Sequence, residues 1–287
     1  MISLPHRSQG PRPYRTLASK LSATLLLIII GLAVLYPIAL LVFTSFKSSG
    51  ELVRNPFGPP IVWTFKHFID VWQLDGLGKF VANSVLVSLG VVAGTVSLGM
   101  LGGYGFARVQ FRSKKVWTTL LLLGLVIPFE TLVIPIFYTL RSLKLLSTYW
   151  AMILPQVGLG LPFAILLVRS FMTGLPQELF DAAEMDGCNL WQRFWYIALP
   201  LMRPALVAIG IFQFIWSWNQ FLLPLVVVQN PDLRTIPVML SFFIGRYSAD
   251  FGRLTAAALV MALPTLIFYL MFHRQVLGAK LSGALNQ

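Results

Sequence analysis

Four of the ten carboxylates in this 287-residue chain crowd into one stretch, residues 175–204: Glu178, Asp181, Glu184 and Asp186. The stretch lies between two long apolar runs. A charge at mid-bilayer costs roughly 2.5–3.5 kcal/mol even on the lenient insertion scale, so this segment must protrude into water from a membrane domain. A second chemically suggestive set follows: Gln213, Trp216, Trp218, Asn219, Gln220 and Phe221. Amides that pair with hydroxyls, beside rings that stack on C–H faces, suit a sugar. At 3.6 residues per turn, Trp218 and Phe221 lie near one helix face, as do Gln213 and Trp216. The alternative is that the amides join helices together and the tryptophans pack at the membrane interface.

Other chemistry finds no signature. GxxxxGK[ST] does not occur, so the chain does not itself hold ATP through a P-loop. His6, His67 and His273 lack metal-ligand spacing, and Cys188 is alone. No Ser/His/Asp arrangement is recognisable. No run carries the central acid or lysine series of a proton relay.

The elements that must position these residues follow from composition. The chain is 57% hydrophobic and 11% charged, with mean hydropathy +0.77, whereas soluble domains carry about 25% charged residues. This is an all-α, polytopic membrane protein whose length suits six transmembrane helices. The net charge of +12 flanks apolar runs and forms no single stripe, so it points to membrane-flanking charge and not to nucleic acid.

Residues 1–20 read as a basic, cytoplasmic, mostly disordered tail. Residues 21–81 hold the first span (21–43) and a long outer loop. In that loop Thr64 is a candidate cap for a short helix with Phe65, Phe68, Ile69 and Trp72 on one side. It reads as an interfacial aromatic belt or a contact for an extracytoplasmic protein. Residues 82–273 form the core, with spans at about 82–106, 116–138, 149–171, 205–228 and 254–272. The second contains Gly90-x-x-x-Gly94 and Gly99-x-x-x-Gly103, which permit close helix approach. Pro128 and Pro135 interrupt the third. Glu130 lies between them, either in the interface or as a functional acid. Residues 274–287 are a second tail. With both ends inside, inner segments hold 13 of the 22 lysines and arginines, a modest bias that supports that orientation.

Within 172–200 the pattern predicts helix, turn, helix. Pro176 suits a first helical turn, and Glu178 and Asp181 favour its positive end. Ala182 and Ala183 leave a smooth spot for another protein. Gly187 ends the helix in a left-handed conformation, Asn189 caps the next, and Pro200 stops that one.

Asp181-Ala182-Ala183-Glu184-Met185-Asp186-Gly187, followed by Ile197-Ala198-Leu199-Pro200, resembles the "EAA" loop of binding-protein-dependent ABC importer permeases. Pro176, Glu178, Leu179 and the Asp186-Gly187 pair resemble the sugar branch, of maltose and glycerol-phosphate permease type. Asn83-Ser84, Tyr104-x-x-Ala107-Arg108, Ile134-Pro135, the Trp218-Asn219 segment and Pro264 extend the resemblance over about residues 15–280. Asp181 stands where the family usually has Glu, and Cys188 where Ala is common.

The resemblance implies the type I ABC importer fold and one membrane subunit of an ATP-driven sugar importer working by alternating access. It implies residence in a bacterial or archaeal cell (inner) membrane. ATPase coupling falls to Glu178, Asp181, Ala182, Ala183, Asp186, Gly187, Cys188 and Leu190. The substrate path falls to Gln213, Trp216, Trp218, Asn219, Gln220 and Phe221. The implied partners are a second homologous permease, a cytoplasmic ABC ATPase dimer that binds ATP and Mg, an extracytoplasmic sugar-binding protein and membrane lipid. No cofactor is expected in this chain, nor an enzyme activity. The rivals are a secondary carrier or channel acting without an ATPase, an ABC permease for a non-sugar solute, and a membrane-embedded enzyme.

Overall fold

A computed structural model describes residues 17–73, 77–245 and 249–284 of the chain. Most of the basic tail at 1–20 therefore lies outside the described residues. Among the described residues the elements are helical: α1 Leu17–Phe46, α2 Ser49–Arg54, α3 Lys66–Trp72, α4 Leu77–Arg108, α5 Lys114–Val126, α6 Phe129–Ser142 and α7 Tyr149–Thr173. There follow α8 Glu178–Met185, α9 Leu190–Arg193, a π turn Phe194–Ala198, α10 Leu199–Trp218, α11 Leu222–Val227, α12 Ile236–Met239 and α13 Phe251–Ala284. Among the described residues five helices are long and apolar enough to cross a membrane, or up to six if the bent α5–α6 pair is one span.

Several elements depart from the sequence pattern for identifiable reasons. The third span is not one interrupted helix: α5 and α6 meet at 104°, because Pro128 caps α6 in an extended conformation and forces the preceding residue out of the helical region. Pro200 does not stop its helix. Leu199 N–H reaches back five residues to the Phe194 carbonyl, and this widened turn makes room for the proline ring. Residues Leu190–Trp218 thus run as one 29-residue rod. That rod ends at Trp218, so the fifth span is broken at 219–221 and does not continue to 228. The last helix, expected to end near 272, runs on to Ala284. In α3 the cap position is Phe65, although Thr64 Oγ1 accepts from Lys66 N–H at 3.2 Å. Its inward face is His67 and Val71, and Ile69 and Trp72 are exposed.

The centre is a parallel pair, α4 against α7, with α10 across both. Both sequence glycine pairs lie on the α7 side of α4. A Cβ on Gly99 would come within 2.6 Å of Ala164 Cβ, and Gly90 and Gly94 meet Ile153 and Val157 at 2.8 Å. Close approach, which a side chain would prevent, is what these residues supply.

One end of α4 is pinned by Asn83-Ser84. Asn83 Nδ2 donates to the carbonyls of Asp232 (2.8 Å) and Arg234 (2.9 Å), and its Oδ1 accepts from Tyr149 (2.8 Å). Ser84 Oγ accepts from Ile236 N–H at 2.8 Å. Asn83→Leu leaves two carbonyls and a hydroxyl without these partners. We expect a loss of about 2 kcal/mol, read as a lower thermal midpoint in detergent, whereas Lys79→Ala, which breaks only an exposed ion pair with Asp232, shifts it little.

Candidate functional site

Two regions carry the candidate residues. The first is the elbow between α7 and α10. Glu178 and Asp181 fall in the first turn of α8, where their charge favours the helix end. Pro176 lies two residues before α8, not within its first turn. The far end of α8 is a Schellman turn. Gly187 takes φ +82°, its N–H bonds the Glu184 carbonyl at 3.0 Å, and Cys188 N–H bonds the Ala183 carbonyl at 2.9 Å. Asn189 and Gln192 then form a reciprocal capping box that starts α9.

The elbow's faces differ from the sequence expectation at Ala183, and two of its acids bond within the chain. Ala183 is buried against its own chain, so only Ala182 offers the smooth outer spot. Asp181 accepts from Gln177 Nε2 at 2.8 Å, and Glu184 pairs with Arg193 at 2.5 Å. Both acids are engaged within the chain. Glu178 and Asp186 are exposed and have no ion-pair partner among the described residues. Cys188 is half-buried, and Leu190 is exposed.

The outer face instead carries an apolar row, Leu179, Ala182 and Met185, at three-residue steps. Met185 is 88% exposed. The sequence alone does not mark Leu179 or Met185 as contact residues; they acquire that meaning only once α8 is seen to turn this face outward.

The elbow is clamped to the other end of α4. Arg108 donates to the Gln177 side chain and, at 3.0 Å, to the Met172 carbonyl. Its guanidinium lies 3.7 Å from the centroid of the buried Phe180 ring. Tyr104 donates to the Leu190 carbonyl at 3.0 Å, and its ring meets Phe194 edge-on at 5.3 Å. Tyr104 and Arg108 stand out in the sequence as a helix-ending pattern, but their bonds to residues 64 to 86 positions away do not.

The second region is a cleft of about 340 Å³ beside α10. Gln213 and Trp216 line it, together with Phe129, Phe163 and Phe212. Trp216 meets Phe129 edge-on at 5.7 Å, and Phe163 packs against Phe212 at 5.2 Å. Gln213 is 4% exposed and donates weakly to Thr95 Oγ1 at 3.4 Å.

Trp218 is not with them. It is 1% exposed, stacks on Phe214, and donates to the Met261 carbonyl at 2.9 Å. It packs α10 against α13. Asn219 closes the end of α10 through a bond to the Ile215 carbonyl at 2.7 Å. Gln220 and the exposed Phe221 form the break before α11. The structure thus brings Gln213 and Trp216 together with three phenylalanines and places the other four candidates outside the cleft lining. No group of three or more metal-ligating side chains occurs among the described residues.

Residues 90–277 match the family model described as binding-protein-dependent transport system inner membrane component. The diacetylchitobiose uptake system permease protein NgcG of Streptomyces coelicolor is 33% identical over 260 residues, covering 90% of this chain and 86% of that one. The arabinooligosaccharides transport system permease protein AraQ of Halalkalibacterium halodurans is 34% identical over 261 residues, covering 90% and 93%. Among solved structures, a chain of a bacterial ABC transporter involved in the import of the acidic polysaccharide alginate superposes with TM-score 0.78 at 20% identity, covering 92% of this chain and 99% of that one.

Proposed function

The chain belongs to the family of binding-protein-dependent transport system inner membrane components, and from that premise we propose that it is one of two membrane subunits of an ATP-driven sugar importer. It is a multi-pass membrane protein; in this reading both termini face the cytoplasm. The observation that carries the proposal is the elbow. A chain otherwise built for lipid turns a short helix into water, fixes it by a Schellman turn, a capping box and the Arg108 clamp, and leaves Leu179, Ala182 and Met185 bare on its outer side. Apolar side chains on so small a protrusion call for a groove on another protein.

The partner with that groove is a cytoplasmic ABC ATPase, which holds the ATP and Mg. Its closure on ATP moves α8, and the clamp passes the motion to α4. Because α4 is one helix bonded at its far end to the 232–236 loop, displacement of the elbow is felt at the opposite membrane face. A second permease completes the path, and an extracytoplasmic sugar-binding protein delivers the solute. Any shift of state requires contacts that differ between the states, and α8 is where ATP acts on this chain.

The test is purification from native membranes in mild detergent with Met185→Cys carrying a crosslinker. The expected product joins this chain to a nucleotide-hydrolysing subunit. A crosslink pattern with no such neighbour, or labelling of the new thiol at position 185 from outside intact cells, overturns the reading, as does ATP-independent uptake by the chain alone in vesicles.

A further inference from the structure

We infer that the elbow-side end of α5 is a site for an anionic phospholipid, its headgroup held among Arg112, Lys114, Lys115 and Arg169 and an acyl chain lying along Val116 and Leu120. The inference goes beyond the importer reading and does not depend on it.

Three of the four cations fall within four residues, where the chain leaves α4 and enters α5. Phe111 packs edge-on against Phe106 at 5.5 Å, and Lys114 N–H bonds the Phe111 carbonyl at 3.2 Å, so this turn is held in place. The fourth cation comes from another helix. Arg169 lies on α7 and donates through Nη1 to Thr118 Oγ1 at 3.3 Å, while that hydroxyl donates to the Lys114 carbonyl at 2.8 Å. The guanidinium is thereby fixed one turn along α5 from Lys114. It has five N–H donors, and this bond uses one.

Like charges gathered so closely repel one another. Elsewhere the fold sets acids beside its cations: Lys79 pairs with Asp232, Arg193 with Glu184, and Arg253 with Asp70 and Asp250. At this corner none of the four cations has an ion-pair partner among the described residues. The balancing anion must come from outside the chain.

The surface next to the cations says which kind of anion fits. Thr118 meets Arg169, and further along Gly124 faces Pro162, so α5 runs antiparallel to α7 and carries its first turn down into the bilayer. No residue of α5 is buried, and Val116, Trp117 and Leu120 are exposed. An open groove of about 310 Å³ is lined by Lys115, Val116, Thr119 and Leu120. It starts at an ammonium and ends at apolar branches, the order of headgroup and chain in a lipid. Trp117 is the kind of amphipathic ring that sits at headgroup level. A soluble anion would meet the cations and leave the groove bare. A zwitterionic lipid would fill the groove, but its own cation would offset the attraction. A basic pocket shared between spans is the ordinary form of an anionic-headgroup site, and arginine grips phosphate with directed, charge-assisted hydrogen bonds.

Photolabelling of the full importer assembly in phosphatidylcholine nanodiscs tests this, with trace diazirine-tailed phosphatidylglycerol or phosphatidylcholine at equal mole fraction. The phosphatidylglycerol probe is expected to label residues 116–120 several-fold more than the phosphatidylcholine probe. Arg112→Gln with Lys115→Gln should bring the two probes level, because each cation near the surface adds roughly 1 kcal/mol of attraction, about fivefold in occupancy. Arg112→Lys with Lys115→Arg keeps both charges and should keep the preference. Equal labelling of the wild type by both probes, or a preference that survives the glutamine pair, would overturn the inference. So would displacement of the probe by millimolar inorganic phosphate, which would mean a free-anion site. Capture of a second permease in place of lipid, by a crosslinker on Lys115→Cys, would assign the face to a protein instead.

Discussion

Gly187→Val is expected to abolish most solute uptake at unchanged abundance in the membrane. Residue 187 holds φ +82°, and a Cβ built on it meets nothing within 4 Å. Steric crowding therefore plays no part, and the whole effect comes from the backbone. A left-handed conformation costs an ordinary L-residue roughly 1–2 kcal/mol, and a β-branched one fits it worst. Valine will thus pull the turn away from its two closing bonds, Gly187 N–H to Glu184 and Cys188 N–H to Ala183. A penalty of that size changes the population of the native turn by a factor of about 5–30, and the elbow loses the geometry that presents Leu179 and Met185. The spans are untouched, so insertion and fold persist. Gly187→Asn is the control: asparagine visits the left-handed region readily and should keep most of the uptake. Wild-type uptake by the valine variant, or equal loss in both variants, would remove the turn from the mechanism.

The turn is legible in the sequence because its signals are local. A glycine after a helical octet, followed by Asn189 three residues before Gln192, states its own geometry. The α4–α7 contact is half legible: the Gly-x-x-x-Gly spacing announces close approach, but nothing in it names Ala164 or Val168 as the partners. Pro128 and Pro200 show where local rules diverge. Both are helix breakers by the same chemistry, yet one turns the chain through 104° and the other is absorbed by a π turn. The difference is tertiary. Around Pro200 the rod is held on both sides, by Phe194 and Ala198 before it and Met202 after it in one buried cluster, whereas Pro128 and the Ile127 before it are exposed. The substrate-path candidates divide for a related reason. An aromatic residue in an apolar helix reads the same whether it faces a cleft, a neighbouring helix or lipid. The sequence therefore cannot separate Trp218 from Trp216, nor pick out Phe129, Phe163 and Phe212.

Arg108→Ala should leave the protein in the membrane and disconnect the elbow from it. Arg108 gathers four things at the end of α4: the Gln177 side chain, the carbonyls of Met172 and Leu175, and the face of Phe180. Gln177 in turn holds Asp181, so one guanidinium orients the end of α7, the start of α8 and an acid on it. Hydrogen bonds to a charged donor are worth about 1.5–3 kcal/mol each, and their loss here falls on the joint and not on the α4–α7 core. Uptake is expected to drop at least about tenfold, the factor that about 1.4 kcal/mol carries, while the ATPase still co-purifies and hydrolyses ATP no longer stimulated by loaded binding protein. A merely structural role would lower abundance and leave uptake per molecule and stimulation intact, so the two readouts separate the explanations. Arg108→Lys is the sharper comparison. Its ammonium keeps the charge but cannot direct separate N–H groups at Gln177 and Met172 while lying flat on Phe180. We therefore expect it to recover little of the lost uptake, and full recovery would show that charge alone, without the fork, holds the elbow to α4.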